Sequence, residues 1–283
     1  MIGLGLLGGS ITLAVLRSLP GVKVTGYTHR AVTRRKARQL AVAIEIVDCL
    51  KLSVSDADLV ILATPIHTFE QIFDVIGDAL PKGCIVTDVG STKVFPHRWA
   101  AKTLPKTVYY AGSHPIAGSE QRGIEFARDD LFDRALCVLT ATTKTNRQAM
   151  RSLKGFWTSL GCSVKSMTPV MHDKIFADIS HLPHVVTAAL MNTSTDQTLK
   201  FAGKGFIDTS RIASGPANIW TDIVLTNARN TAKGIDGIIA ELLKLKKAIE
   251  AEDKKRVEDL LKAANRKRAA LINYKIKKKE LIL

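Results

Sequence analysis

Short apolar runs alternate with stretches of helical spacing through the first half of the chain. Residues 22–27 are β-rich and lead into a helical stretch over 32–43. Residues 59–63 are apolar throughout and stop at Thr64-Pro65, the pattern of a buried strand. A helix follows over 69–80, then a strand over 85–89. Further strands are predicted at 108–111, 135–139 and 163–167. Strands without a polar face, separated by helices, belong to a largely parallel sheet covered on both sides. The expected fold is α/β: a doubly wound, Rossmann-type domain.

The pattern changes after residue 167. Ile235, Ile238, Ile239, Leu242 and Leu243 recur at helical spacing, as do Val257, Leu260, Leu261 and Ala264. Gly203, Gly205, Gly215 and Pro216 interrupt the region once. Two domains are therefore expected, residues 1–167 and an all-helical 168–283, with the boundary at Met167-Thr168-Pro169.

Composition narrows the class. Hydrophobic residues make up 46% and charged residues 24%, ordinary for a soluble globular protein. No run reaches the roughly 18 apolar residues of a membrane helix, and the first residues lack a basic leader. The four cysteines are scattered, without a Cys-x-x-Cys pair, which suits a reducing cytoplasm. The net charge is +15, and residues 244–279 hold 14 Lys or Arg against 5 Asp or Glu. Tyr274 is the only aromatic there, so the excess reads as a solvated helical face rather than a nucleic-acid site.

Gly3-x-Gly5-x-x-Gly8, followed by an apolar helix, has the dinucleotide fingerprint. The glycines permit a tight turn and close approach of the pyrophosphate, and the helix start offers free N–H groups. Gly3, Gly5, Leu6, Leu7 and Gly8 are the predicted phosphate contacts. The strand that should precede them is reduced to Met1-Ile2, which reads as a truncated first strand. The ribose-binding position falls on Thr28, with His29 and Arg30 beside it and Arg34 and Arg35 close by. Without the usual carboxylate, and with guanidinium groups at hand, NADP is expected ahead of NAD. Thr64 and Pro65, at the end of a buried strand, are expected near the nicotinamide ribose. No cluster has metal-ligand spacing, so no metal is expected.

His114 follows a predicted strand, where ligands of open α/β sheets bind, and is a candidate general base. A histidine that only caps a turn is the competing reading. Ser91 lies in a comparable turn, where a catalytic and a purely structural serine are equally compatible with the sequence.

Three segments carry more specific information: Asp88-Val89-Gly90-Ser91-Thr92-Lys93, Gly112-Ser113-His114-Pro115-Ile116-Ala117-Gly118-Ser119-Glu120, and Ser180-His181-Leu182-Pro183-His184. Together with Gly205-Phe206, Asp208, Ser210-Arg211-Ile212-Ala213 and Trp220, they resemble the prephenate/arogenate dehydrogenases of tyrosine biosynthesis. The resemblance runs from the glycine loop to about residue 230. It implies oxidative decarboxylation of prephenate to 4-hydroxyphenylpyruvate, or of arogenate to tyrosine, with hydride transfer to NADP or NAD. His114 would be the catalytic base and Ser91 its partner. Arg211 would hold a substrate carboxylate, with Glu120 able to pair with it. Ser119, Ser180, His184 and Trp220 would line the substrate site, and a homodimer would form through the helical domain. Ser119-Glu120 tilts the expectation toward prephenate. Lys93 receives no specific role, Asp173 reads as a first-turn helix residue, and a buried structural role is open for His181.

A β-hydroxyacid dehydrogenase would need a lysine base on the helix after the boundary, and the helix around 180–184 offers none beyond Lys174. A non-catalytic nucleotide-binding protein would leave His114, Ser91 and Arg211 unexplained.

Overall fold

The computed structural model describes residues 1–40, 45–118 and 121–278. Packing divides the chain into two units, Met1–Asn230 and Thr231–Leu283.

The first unit is built on a parallel sheet. Ile2 bridges Tyr27 on one side and Leu62 on the other. The Gly3 N–H donates to Tyr27 O and the Ala63 N–H to Ile2 O, at 2.8 and 2.7 Å. The few residues before the glycine loop therefore occupy the central position of the sheet. Helix α1 (Leu6–Ser18) follows, then β1 (Thr25–Tyr27), α2 (Ala31–Gln39), β2 (Glu45–Val47), β3 (Leu59–Leu62) and α3 (Phe69–Ile76). After them come β4 (Ile85–Asp88), α4 (Val94–Thr103) and β5 (Tyr109–Tyr110). The order across the sheet is β2, β1, Ile2, β3, β4, β5, with every pairing parallel.

A second sheet holds β6 (Gly112–Pro115), β7 (Leu136–Thr140) and, after α5 (Arg147–Ser159), β8 (Ser163–Met167). β6 runs antiparallel to β7, and β7 parallel to β8. Ala111 joins the two sheets, its N–H still donating to Val86 O beside β4. The doubly wound, mostly parallel architecture agrees with the pattern of the sequence. β2 and β6 were not predicted. β6 contains glycine, histidine and proline, residues that seldom signal a strand.

Phe69, Phe73, Ile76, Leu62 and Val86 form one apolar cluster, and Ile11, Phe132, Leu139, Leu153 and Trp157 another. Each such side chain, fully buried, contributes about 1.5–3 kcal/mol. Trp157 also positions the site: its indole N–H donates to Ser113 Oγ at 3.0 Å, and Ser113 Oγ shares a hydrogen bond with Thr87. The strand position next to His114 is thus anchored in the core.

Helix α6 (Pro169–Phe176) follows β8. Thr168 Oγ1 accepts from the Met171 N–H, and Pro169 occupies the first turn. A π-helical turn, Ala177–His181, leads into α7 (Leu182–Thr193). Then come α8 (Asp196–Leu199), α9 (Lys204–Ser210), a 3-10 turn (Arg211–Ser214), α10 (Ala217–Thr226) and α11 (Ala228–Glu250).

In the second unit, the rest of α11 is joined by a short turn to α12 (Lys254–Lys277). Ile239, Leu242, Leu243, Leu261 and Leu271 are exposed there. Among the described residues no helix is long and apolar enough to cross a membrane.

Candidate active site

The glycine loop is shaped for a phosphate group. Gly3 has φ +95°, and a Cβ on it would lie 2.6 Å from Ala63 O. A Cβ on Gly8 would collide with Gly3 O, whereas one at Gly5 would meet nothing within 4 Å. No side chain caps the N-terminus of α1, so its first N–H groups are open to an anion between Gly5 and Gly8. Leu6 and Leu7 form the first turn, half-buried. Thr64 borders the loop, its methyl facing Gly3 and its hydroxyl bonded to Thr68. Pro65 precedes the 3-10 turn Ile66–Thr68. This cradle fits the pyrophosphate of a dinucleotide.

The segment expected to face the ribose is more differentiated than its sequence suggests. Thr28 is buried, and its carbonyl accepts from Arg34 at 2.7 Å, as does that of His29 at 3.0 Å. Arg34 therefore braces the loop. His29 and Arg30 are exposed, Arg30 at the head of α2.

His114 sits on β6 at the end of a line of three side chains. Its Nδ1 lies 2.8 Å from His172 Nε2, and His172 Nδ1 lies 2.8 Å from Asp173 Oδ1. Asp173 also accepts the Lys93 and Val94 N–H groups, at 2.7 and 2.9 Å, at the start of α4. A carboxylate holding two main-chain donors at a helix N-terminus is kept ionised, although burial pulls its pKa upward. It therefore accepts the proton on His172 Nδ1. Burial, helped by the positive charge of Lys93, pushes His172 down to about 2, so this ring is neutral. His172 Nε2 must then accept, and His114 Nδ1 must donate. The lone pair of His114 is left on Nε2, the nitrogen that can accept a proton. His114 is itself held well below its ordinary pKa by burial, and then by the neighbouring His172 and Lys93. Phe176 packs against both imidazoles, stacked on His172 with centroids 4.4 Å apart.

The reading of Asp173 as a first-turn residue is corrected here. It lies in the second turn of α6, and its carboxylate serves the start of α4 and His172. Lys93 is fully buried and paired with Asp88, which also accepts the Tyr110 hydroxyl at 2.6 Å and the Gly90 N–H. Ser91 lies in the loop between β4 and α4. Nδ1 of His114 is taken by His172, which leaves Nε2 for any contact with Ser91.

Substrate-site candidates converge from the helices. His184 and Trp220 stack with centroids 3.6 Å apart and planes within 7°. A Cβ on Gly215 would lie 2.3 Å from Trp220 Nε1, so a residue without a side chain is needed beside the stack. His184 is buried, its Nδ1 has no hydrogen-bond partner among the described residues, and its ring faces the Ile212 backbone. Arg211 opens that same 3-10 turn and is exposed. Ser180 is half-buried in the π turn. His181 is fully buried and meets Trp220 edge-on. Ser119 and Glu120 lie outside the described residues.

Comparison with known proteins decides the family. The model of the prephenate dehydrogenase nucleotide-binding domain matches residues 11–166, and that of the prephenate dehydrogenase dimerization domain matches 168–263. The chain belongs to the prephenate dehydrogenase family.

Relatives in this family include a prephenate dehydrogenase of Bacillus subtilis, 34% identical over 89% of this chain and 70% of that protein. A cyclohexadienyl dehydrogenase of Zymomonas mobilis is 31% identical over 96% of this chain and 94% of its own length. The prephenate dehydrogenase of Aquifex aeolicus, solved with hydroxyphenyl propionate and NAD+, superposes with a TM-score of 0.89 at 33% identity. That match covers 95% of this chain and 96% of the other.

Within this family member, the structure links His114 to α6, and α6 through the π turn to the His184–Trp220 stack beside Arg211's turn. Sequence reasoning missed His172, Asp173 and Lys93 as members of the site. The one available signal was a titratable pair, His172-Asp173, which is buried while the neighbouring Lys174 is exposed.

Proposed function

We propose that this chain oxidatively decarboxylates prephenate to 4-hydroxyphenylpyruvate. The observation that carries the reading is the hydrogen-bonded line from His114 through His172 to Asp173, which leaves the lone pair of His114 on Nε2 as a proton acceptor. A nicotinamide dinucleotide, when bound, supplies the acceptor for the hydride from C4 of the substrate. His114 Nε2 takes the proton of the C4 hydroxyl as that carbon becomes a carbonyl. Loss of carbon dioxide from C1 sends its bonding pair through the conjugated dienone to the C4 oxygen, which takes up a proton as the ring becomes the aromatic phenol. The Asp173 carboxylate, two hydrogen bonds away, offsets the positive charge that develops on His114. A positioned base of this kind is worth about 10²–10⁴ in rate.

Ser91 is the proposed partner of the C4 hydroxyl, and Arg211 the anchor for a substrate carboxylate through its planar fork. His184, Trp220, Ser180, Ser119 and Glu120 complete the lining. Gly3, Gly5, Leu6, Leu7 and Gly8 hold the pyrophosphate, and Thr64 and Pro65 border the nicotinamide ribose. NADP is the proposed cofactor: Thr28 brings no carboxylate to the ribose, and Arg30 is exposed beside it while Arg34 is engaged with main-chain carbonyls. Residues 1–167 form the dinucleotide domain and 168–283 the substrate and dimerisation domain. The exposed apolar side chains of α11 and α12 support a homodimer, and the free cysteines suit the cytoplasm.

The test is absorbance at 340 nm with purified protein, crossing prephenate and arogenate with NADP and NAD. Turnover of prephenate with NADP is expected. Silence in all four combinations from folded protein would overturn the reading, and activity confined to arogenate or to NAD would replace the substrate or the cofactor.

A further inference from the structure

Asn227, at the C-terminal end of α10, is buried among the elements that carry the site. Its Nδ2 donates to the Asp173 carbonyl at 2.6 Å and faces His181 Nδ1 at 3.1 Å. Its Oδ1 accepts from Asn230 Nδ2 at 2.8 Å. The amide cannot be reversed, because its oxygen would then confront the Asp173 carbonyl oxygen. The group facing His181 Nδ1 is therefore a donor, and Nδ1 accepts. A neutral imidazole has one proton, so His181 carries it on Nε2. That atom has no hydrogen-bond partner among the described residues, and the ring lies against the Ser91 backbone.

The π turn explains why this contact matters. The buried stripe runs through His172, Asp173, Phe176 and Ala177, then resumes at His181, His184 and Thr187. The π turn Ala177–His181 lies within this stripe, between the segment that carries Asp173 and the helix that carries His184. Asn227 grips both ends of this irregularity, the Asp173 carbonyl before it and the His181 ring at its close.

We propose that Asn227 is a positioning residue, which fixes His181 as its Nε2–H tautomer and holds the π turn in the register that sets His181 beside Ser91 and Asp173 behind His114. The inference deepens the dehydrogenase reading of this pocket and rests on it for its effect on turnover. Its geometric half is testable without substrate.

The experiment is long-range nitrogen–proton correlation on protein labelled with 15N-histidine, with the His181 signals assigned by their loss in His181→Gln. The expected spectrum shows a protonated Nε2 and an unprotonated Nδ1. A proton on Nδ1 would overturn the proposal without any variant of Asn227 having to fold. In Asn227→Asp, a carboxylate facing the ring should draw the proton to Nδ1. In both Asn227→Asp and Asn227→Ala, kcat should fall about 10- to 100-fold with cofactor affinity unchanged, the scale of a displaced catalytic group. An unaltered tautomer in Asn227→Asp together with unaltered kcat would also overturn it. A wild-type chain inactive on every substrate would fail the dehydrogenase reading while leaving the tautomer result to stand by itself.

Discussion

His114 Nδ1 and His172 Nε2 lie 2.8 Å apart, although 58 residues separate them in the chain. Because His172 is neutral and already donates to Asp173, this contact orients the proton of His114 and leaves its other nitrogen basic. The first consequence concerns Asp173. In Asp173→Asn, one oxygen is replaced by a donor that faces a main-chain N–H of α4 or the proton of His172. A buried donor left without an acceptor should cost about 1–3 kcal/mol, read by denaturant unfolding. Turnover should fall further than stability explains, by roughly 10²–10⁴, as when the orienting carboxylate of a comparable imidazole relay is neutralised. An asparagine variant with unimpaired kcat would separate Asp173 from the mechanism.

Acid should destabilise the protein through its buried histidines. Burial lowers His97 and His181 to about 4 and His172 to about 2. The unfolded chain, whose histidines titrate near 6.5, thus takes up protons first as the pH falls. Stability contributed by keeping these rings neutral is full above about pH 6.5 and is lost as the pH drops toward 4, with His172 continuing the loss toward 2. Within the window each ring costs about 1.4 kcal/mol per pH unit. Denaturant midpoints measured from pH 7.5 to 4.5 should stay level to about pH 6.5 and then fall, less steeply in His97→Gln. A flat profile would show that these rings are solvated.

Arg211 should act on binding more than on turnover. Arg211→Ala removes a charge-assisted pair formed in ground and transition states alike. KM for prephenate should rise roughly 10- to 100-fold, equivalent to about 1.5–3 kcal/mol, with kcat little changed. Steady-state kinetics would show the reverse pattern, normal KM and lowered kcat, if Arg211 acted on the chemical step.

The glycine loop was legible because three local signals coincide: glycine spacing, a helix that opens on it and a β-rich run at the right distance. His114 was legible as a residue but its strand was not, since Gly112 and Pro115 mask any alternation. The π turn was illegible for a similar reason. His181 follows the buried Ala177 by four, as in an α-helix, so the apolar pattern carries no mark of the turn. His172 and Asp173 read as an ordinary helix beginning because their partners are remote, with Lys93 80 positions earlier in the chain. Lys93 itself carried no signal, since a lysine in a turn is usually solvated. Only the fold brings Asp88 and Tyr110 around it.

The most direct test of the account is the turnover of His114→Asn, measured beside its affinity for NADP. Asparagine keeps a polar side chain on β6 but cannot take the proton of the C4 hydroxyl. The account predicts unchanged cofactor affinity and a kcat lowered by about 10²–10⁴. A variant that binds cofactor normally and turns over prephenate at a near wild-type rate would contradict it.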